Sequence, residues 1–212
     1  MQLQNYYYYF QSALTTRFCD ELIKYGISQQ EQLALTGSET NKIIKGKSLE
    51  NKDIKDLKKK RDSNIVWLND KWIYKEIQPY IHEANRLAGW NFDWDWSESC
   101  QFTKYKLNQF YDWHCDSWES SYDRPDDINL HGKIRKLSVT CSLSDPKDYK
   151  GGELEFDFRN MDPDKPTVRK CAEIAPRGSI VVFPSHVWHR VKPVTKGTRY
   201  SLVIWNLGYP FK

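Results

Sequence analysis

The second half of the chain alternates. In "GKIRKLSVTCSLSD", Leu137, Val139, Cys141 and Leu143 share one side, and Ser138, Thr140 and Ser142 the other. In "GGELEFDFRN", Leu154, Phe156 and Phe158 oppose Glu153, Glu155 and Asp157. A period of two is the mark of a strand. "CQFTKYKLNQFYDWH" reads as strand, turn and strand, and "GSIVVFPS" and "TRYSLVIWNLG" as two more. Many short strands separated by turns specify a β-sandwich or barrel.

The first half reads differently. "YYYYF" suits an edge strand. "TTRFCDELIKYG" carries Phe18, Leu22 and Ile23 at helical spacing and should stop at Gly26. Residues 36–62 read as an exposed connection. A second helix follows, with Asp70 as N-cap, Gly89 as stop and an apolar stripe of Ile73, Ile77, Ile81 and Ala84. Pro79 inside it should kink or split it. Helices first and strands later predict an α+β fold, mainly β, with N-terminal helices packed against one sheet. We read 1–212 as one domain, with a strand and supporting helices over 1–90 and a β core over 91–212.

Composition narrows the function classes. No apolar run nears the roughly 20 residues of a membrane span. "MQLQNYYYYF" has neither a basic nor an apolar signal region. The five cysteines are odd in number and form no CxxC, which argues against a disulfide framework or a Cys-rich zinc site and for a reducing cytoplasm. The net charge of +4 is concentrated in the basic segment 42–61, which is nearly free of aromatics. A nucleic-acid surface interleaves stacking rings with such charge, so a solvated face is expected and a nucleic-acid partner is not.

Five histidines are available for chemistry. His82 sits in the second helix and reads as packing or surface, and His131 as loop. On a strand His114 and Asp116 project together, with Cys115 turned away. Two ligands on one face make two corners of a metal site. A triad of two histidines and a carboxylate, with open positions, is the arrangement of non-haem Fe(II) oxygenases, and a distant strand must supply its third member. Far along, in "HVWHRVKPVTKGTRYSLVIW", Arg199 follows His189 by ten residues across a turn of Pro193, Lys196 and Gly197. A hairpin there carries Arg199 back beside His189. Arg199 suits a carboxylate through two parallel hydrogen bonds, and Ser201, on the same face, adds a third. His186 and Trp188 have odd spacing from His189 and read as turned away from it.

His114-x-Asp116, then His189, then Arg199 resembles the iron- and 2-oxoglutarate-dependent dioxygenases, in particular their prolyl 4-hydroxylase-like branch. Tyr105 matches the Tyr that opens the "Y…WHxD" segment of that branch. "SDPKDYKGGELEF" and "FPS…WHRVKPVTKGTRYSL" resemble its later motifs. The likeness covers roughly residues 65–207 and is strongest over 100–207. The resemblance implies a double-stranded β-helix (jelly-roll) core. It implies Fe(II) on His114, Asp116 and His189, and 2-oxoglutarate held by Arg199, Ser201 and Tyr105, with Trp205 near the metal end. It further implies O2 as oxidant, ascorbate as reductant, and release of succinate and CO2. One departure is visible: where some relatives place a Tyr on the third barrel strand, this chain has Ser138, Thr140, Cys141 and Ser142, so a small hydroxyl or a water must serve.

Segment 117–134, "SWESSYDRPDDINLHGKI", is too long and polar for a tight hairpin and reads as a cover over the substrate, with Trp118 and Tyr122 as its aromatic contacts. The branch implies hydroxylation of a prolyl residue in a peptide or protein. Three rivals stand beside it: a hydroxylase of a free amino acid or other small molecule, a nucleic-acid demethylase, and a non-catalytic jelly-roll binding module. The strand after Arg199 lacks the further arginines of demethylases, and all three ligands are present, which disfavours the last two.

Overall fold

The computed structural model describes residues 3–44, 46–117, 120–159 and 167–211. The chain opens with β1 (Tyr8–Phe10) and α1 (Thr16–Ser28). Thr15 caps α1, its Oγ1 accepting from the Phe18 N–H at 3.1 Å. Next come β2 (Gln32–Leu33), α2 (Gly37–Ile44), α3 (Asn51–Lys60), β3 (Arg61–Asp62), β4 (Asn64–Leu68) and α4 (Lys71–Leu87). The remainder is strand: β5 (Trp96–Ser97), β6 (Cys100–Tyr105), β7 (Phe110–His114), β8 (Ile134–Ser142), β9 (Tyr149–Gly151), β10 (Leu154–Asp157) and β11 (Val168–Lys170). β12 (Ile180–Pro184), β13 (Trp188–Val191), β14 (Val194–Gly197) and β15 (Arg199–Gly208) complete it.

The major sheet runs β1-β12-β8-β15-β6-β4-β2, with β5 also on β15, and the minor sheet runs β11-β10-β13-β7-β3. β1 is an edge strand, as its sequence suggests. β6 and β7, consecutive in the chain, lie in different sheets. Such crossings close two antiparallel sheets into a jelly roll.

Alternation decides which side each strand residue serves. From β8, Leu137, Val139 and Cys141 join Leu202 and Ile204 of β15 against Phe18 and Leu22 of α1 and Ile73, Ile77 and Ile81 of α4. Burying each such aliphatic side chain stabilises by about 1.5–3 kcal/mol, so this seam holds the helices to the sheet. The opposite residues point between the sheets. Val181 and Phe183 of β12 meet Leu154, Phe156 and Val191 of the minor sheet there. Ser138, Thr140 and Ser142, the polar side of β8, are buried as well, because that side faces the interior rather than water.

Three expectations for the N-terminal half are corrected. Residues 36–62 are not an exposed connection: they hold α2 and α3, and Leu57 is 1% exposed beneath the lysines. Pro79 does not split α4, which runs from Lys71 to Leu87; the buried isoleucines on either side of it pin the helix to the sheet. Gly26 does not stop α1, which reaches Ser28. A Cβ on Gly26 would lie 2.6 Å from the buried ring of Phe102, so glycine there permits close approach of helix and sheet. Gly89, by contrast, has a φ of +74° just past α4 and is a true helix stop. Among the described residues, no helix is long and apolar enough to cross a membrane. Gly26→Ala should cost about 1–3 kcal/mol through overpacking, read from urea unfolding; an unchanged midpoint would contradict the close contact.

Candidate metal centre

β13 runs antiparallel to β7, and His189 lies directly opposite His114. Opposed residues in such a pair hold their Cβ atoms about 4.5–5.5 Å apart. Register alone therefore brings the two imidazoles together, with ring centroids 4.2 Å apart. Asp116 lies past the end of β7, so strand alternation is not what aims it. Instead the Ser185 carbonyl accepts from the N–H groups of both Asp116 and Ser117, at 2.8 and 2.9 Å. That anchor sets the carboxylate between the rings, Oδ1 3.8 Å from His114 Nε2 and Oδ2 3.7 Å from His189 Nε2. Cys115 is half-buried, with its Sγ 3.6 Å from the Ser117 carbonyl oxygen.

One donor atom from each of His114, Asp116 and His189 lies within 4.8 Å of the others. Each histidine Nδ1 sits against a backbone carbonyl, that of Asp112 at 2.7 Å and that of Val187 at 3.0 Å. A carbonyl only accepts, so Nδ1 carries the proton and Nε2 turns a bare lone pair to the centre. Burial, then the nearby His189, lowers the His114 pKa to about 3. Burial pushes the Asp116 carboxyl up, but the two imidazoles and Arg135 outweigh it and hold the group below its ordinary range. A neutral His114 imidazole and an ionised Asp116 carboxylate are the protonation states a divalent metal requires of these ligands.

The inward row of β15 lines the same cavity with Arg199, Ser201, Val203 and Trp205. Arg199 is 3% exposed and donates from Nη1 to Ser201 Oγ at 3.2 Å. Tyr105, opposite it on β6, has its ring centroid 5.5 Å from the guanidinium. The glycine pair of "GGEL" has a local reason. Gly152 has φ +67°, and a Cβ there would stand 2.9 Å from Arg199 Cδ. Among the described residues no carboxylate pairs with Arg199. The hairpin expected between His189 and Arg199 is corrected: β13 belongs to the minor sheet and β15 to the major, with β14 between them on β9. Arg199 therefore meets the histidines across the interior, because the chain changes sheets.

Trp205 is buried, and its Nε1–H has no partner among the described residues. Arg135 lies over its ring at 3.9 Å and is gripped by both oxygens of Glu98, at 2.8 and 2.6 Å. Tyr122 donates its hydroxyl to Glu98 Oε1 at 2.9 Å, so it stands on this pair and not in the cavity lining. Trp118 lies outside the described residues. Of the small hydroxyls on β8 named in the sequence, Thr140 lines the cavity, as does Gln101 on β6. Gln101 is not singled out by the sequence, although it shares the face of Tyr105 by even spacing. The other histidines stand apart: His82 stacks on Trp94 at 4.5 Å, and His131 and His186 are exposed.

Residues 100–206 match the model of the 2OG-Fe(II) oxygenase superfamily. A PKHD-type hydroxylase of Synechococcus sp. (strain JA-2-3B'a(2-13)) is 38% identical over 79 residues, 37% of this chain. The match spans 32% of that relative's own length. The viral collagen prolyl hydroxylase vCPH of Paramecium Bursaria Chlorella virus-1 superposes with a TM-score of 0.62 at 21% identity, over 96% of each chain. A prolyl hydroxylase of Trichoplax adhaerens, in complex with a hypoxia inducible factor peptide fragment, gives 0.60 at 17% identity, over 97% of this chain and 85% of the other. Identities this low speak to fold alone, and the fold they share is the jelly roll described above.

The depressed pKa of His114 has a consequence for stability. Unfolded, the imidazole takes a proton as the pH falls below about 6.5; folded, it resists down to about 3. The unfolded state therefore binds more protons in that window, and metal-free protein loses stability as the pH falls through it. Between about pH 7 and about pH 5, chelator-treated wild type should lose more Tm than His114→Gln. Equal losses in a thermal melt would contradict the neutral imidazole.

Proposed function

The chain belongs to the 2OG-Fe(II) oxygenase superfamily, and from that premise we propose that it is a dioxygenase hydroxylating a prolyl residue of a peptide or protein. The observation that carries the reading is Arg199, a buried cation with no carboxylate partner among the described residues, in the same cavity as His114, Asp116 and His189. Two bare imidazole nitrogens and one carboxylate fit Fe(II) and leave coordination positions open. When bound, iron with 2-oxoglutarate and O2 supplies the oxidising power that places a hydroxyl on an unactivated C–H bond, with succinate and CO2 as coproducts.

The residues of the chain bind, orient and exclude water. A buried guanidinium is costly unless paired, so Arg199 selects an anion that reaches the deep end while its other end lies at the metal. The distal carboxylate of 2-oxoglutarate meets that demand, with Ser201 adding a hydrogen bond and the Tyr105 hydroxyl another. Tyr111 and Phe183 wall the histidines with apolar rings, stacked on His114 at 3.5 Å and edge-on to His189 at 4.6 Å. Trp205 closes the metal end. Tyr122 supports Trp205 through Glu98 and Arg135, and the described part of segment 117–134 covers the substrate. The prolyl assignment is supported by the prolyl hydroxylase structures that share the fold, one of them holding a peptide. All five cysteines are free, which supports a reducing, cytoplasmic setting.

Succinate formation should rise on addition of proline-containing peptides and stay at its uncoupled level with free amino acids or oligonucleotides. Stimulation by free amino acids alone would overturn the peptide assignment. Arg199→Gln removes a charge-assisted contact and should weaken 2-oxoglutarate binding roughly 10- to 100-fold. Unaltered binding by calorimetry with Mn(II) in place of iron would remove Arg199 from the role.

A further inference from the structure

The basic segment 42–61 ends on a residue that does not belong to the surface. Arg61 is 4% exposed. Its Nε donates to Ser63 Oγ at 3.2 Å and its Nη1 to the Leu35 carbonyl at 3.1 Å, and its buried Nη2 has no partner among the described residues. No carboxylate among the described residues reaches it. A buried guanidinium held this way must interact with something else, and what it meets is a ring: its central carbon lies 4.4 Å from the centroid of Tyr111. β3 places it there, Arg61 pairing with Tyr111 on β7.

Tyr111 stacks on His114 with centroids 3.5 Å apart and planes 13° from parallel. A ring covered that closely on one face has no room for a guanidinium on the same face. Arg61 and His114 therefore clamp Tyr111 from opposite sides. The two histidines differ in this respect. His189 is buried, with Phe183 and Phe156 around it. His114 ends its strand half-buried, and the face of its ring rests on Tyr111. The order of support runs from Leu35 and Ser63 to Arg61, then to Tyr111, then to His114.

We propose that Arg61 is a positioning residue for the metal centre, acting through Tyr111 to fix the plane of the His114 imidazole. The inference rests on the metal-site reading above and adds a residue outside the matched segment 100–206. A cation over a ring attracts it, more strongly when desolvated as here, and so favours one orientation of Tyr111 over its alternatives.

The test is Mn(II) binding, read from the loss of the free Mn(II) electron-paramagnetic-resonance signal, which does not depend on turnover. Arg61→Met should weaken binding about 3- to 10-fold, at or below the low end of effects from groups that orient ligands. Tyr111→Leu should weaken it by a similar factor, and the double variant should be no weaker than Tyr111→Leu alone, because Arg61 acts only through that ring. Arg61→Lys keeps a cation over the ring and should restore most of the affinity, a rescue that holds the test open if Arg61→Met fails to fold. Additive losses, or wild-type affinity in a folded Arg61→Met or Arg61→Lys/Tyr111→Leu protein, would overturn the proposal while leaving the metal site intact. Absence of Mn(II) binding by wild type would instead overturn the metal-site reading, and this inference with it.

Discussion

A β-strand must send alternate side chains to opposite faces, and in this molecule both faces of the major sheet are buried. One face takes α1 and α4; the other looks into the space between the sheets. Any polar residue on the inward face must then find a partner or serve a ligand. The inward positions of β15 are Arg199, Ser201, Val203 and Trp205, and across the gap β13 and β7 contribute His189 and His114. Register does the rest. Shifting β7 by one residue against β13 would send His114 out of the cavity, and the donor set would be lost without any change in composition.

The charges in the cavity follow from that enclosure. Arg199 and Asp116 are the lining groups that carry formal charge, one of each sign, at opposite ends. A dication on the histidine end and a dianion reaching Arg199, added together, leave the buried charge balanced; either alone does not. The other nearby guanidiniums are each provided for. Glu98 neutralises Arg135 over Trp205, and Tyr111, Ser63 and the Leu35 carbonyl hold Arg61. They lie over Trp205 and Tyr111, whose rings line the cavity, and are not themselves part of its lining, which they leave to Arg199.

Much of this was legible in the sequence because it depends on local alternation and order along the chain. The strands of residues 100–208, the stripe of α4, and the triad with its arginine all have that character. What was hidden depends on contacts between distant segments. Lys-rich composition concealed α3, whose buried contribution is chiefly Leu57, and nothing in "KKKRDS" marks Arg61 as the one cation turned inward. Gly26 resembles a stop, and only the ring of Phe102 against it shows otherwise. The path from His189 to Arg199 reads as a hairpin because a turn sequence lies between them; the change of sheet is set by pairing with β9, far away in the chain. Asp116 does stand with the two histidines, but for another reason than strand alternation: the Ser185 carbonyl aims it.

In the reading proposed above, His114, Asp116 and His189 hold a metal to which an Arg199-bound 2-oxo diacid is also joined. Such a complex has its own anaerobic visible spectrum. Fe(II) and 2-oxoglutarate added together to wild type should give a weak charge-transfer absorption that neither gives alone, and Asp116→Ala should show none. An undiminished band in Asp116→Ala, or no band in wild type, would remove this metal centre from the protein.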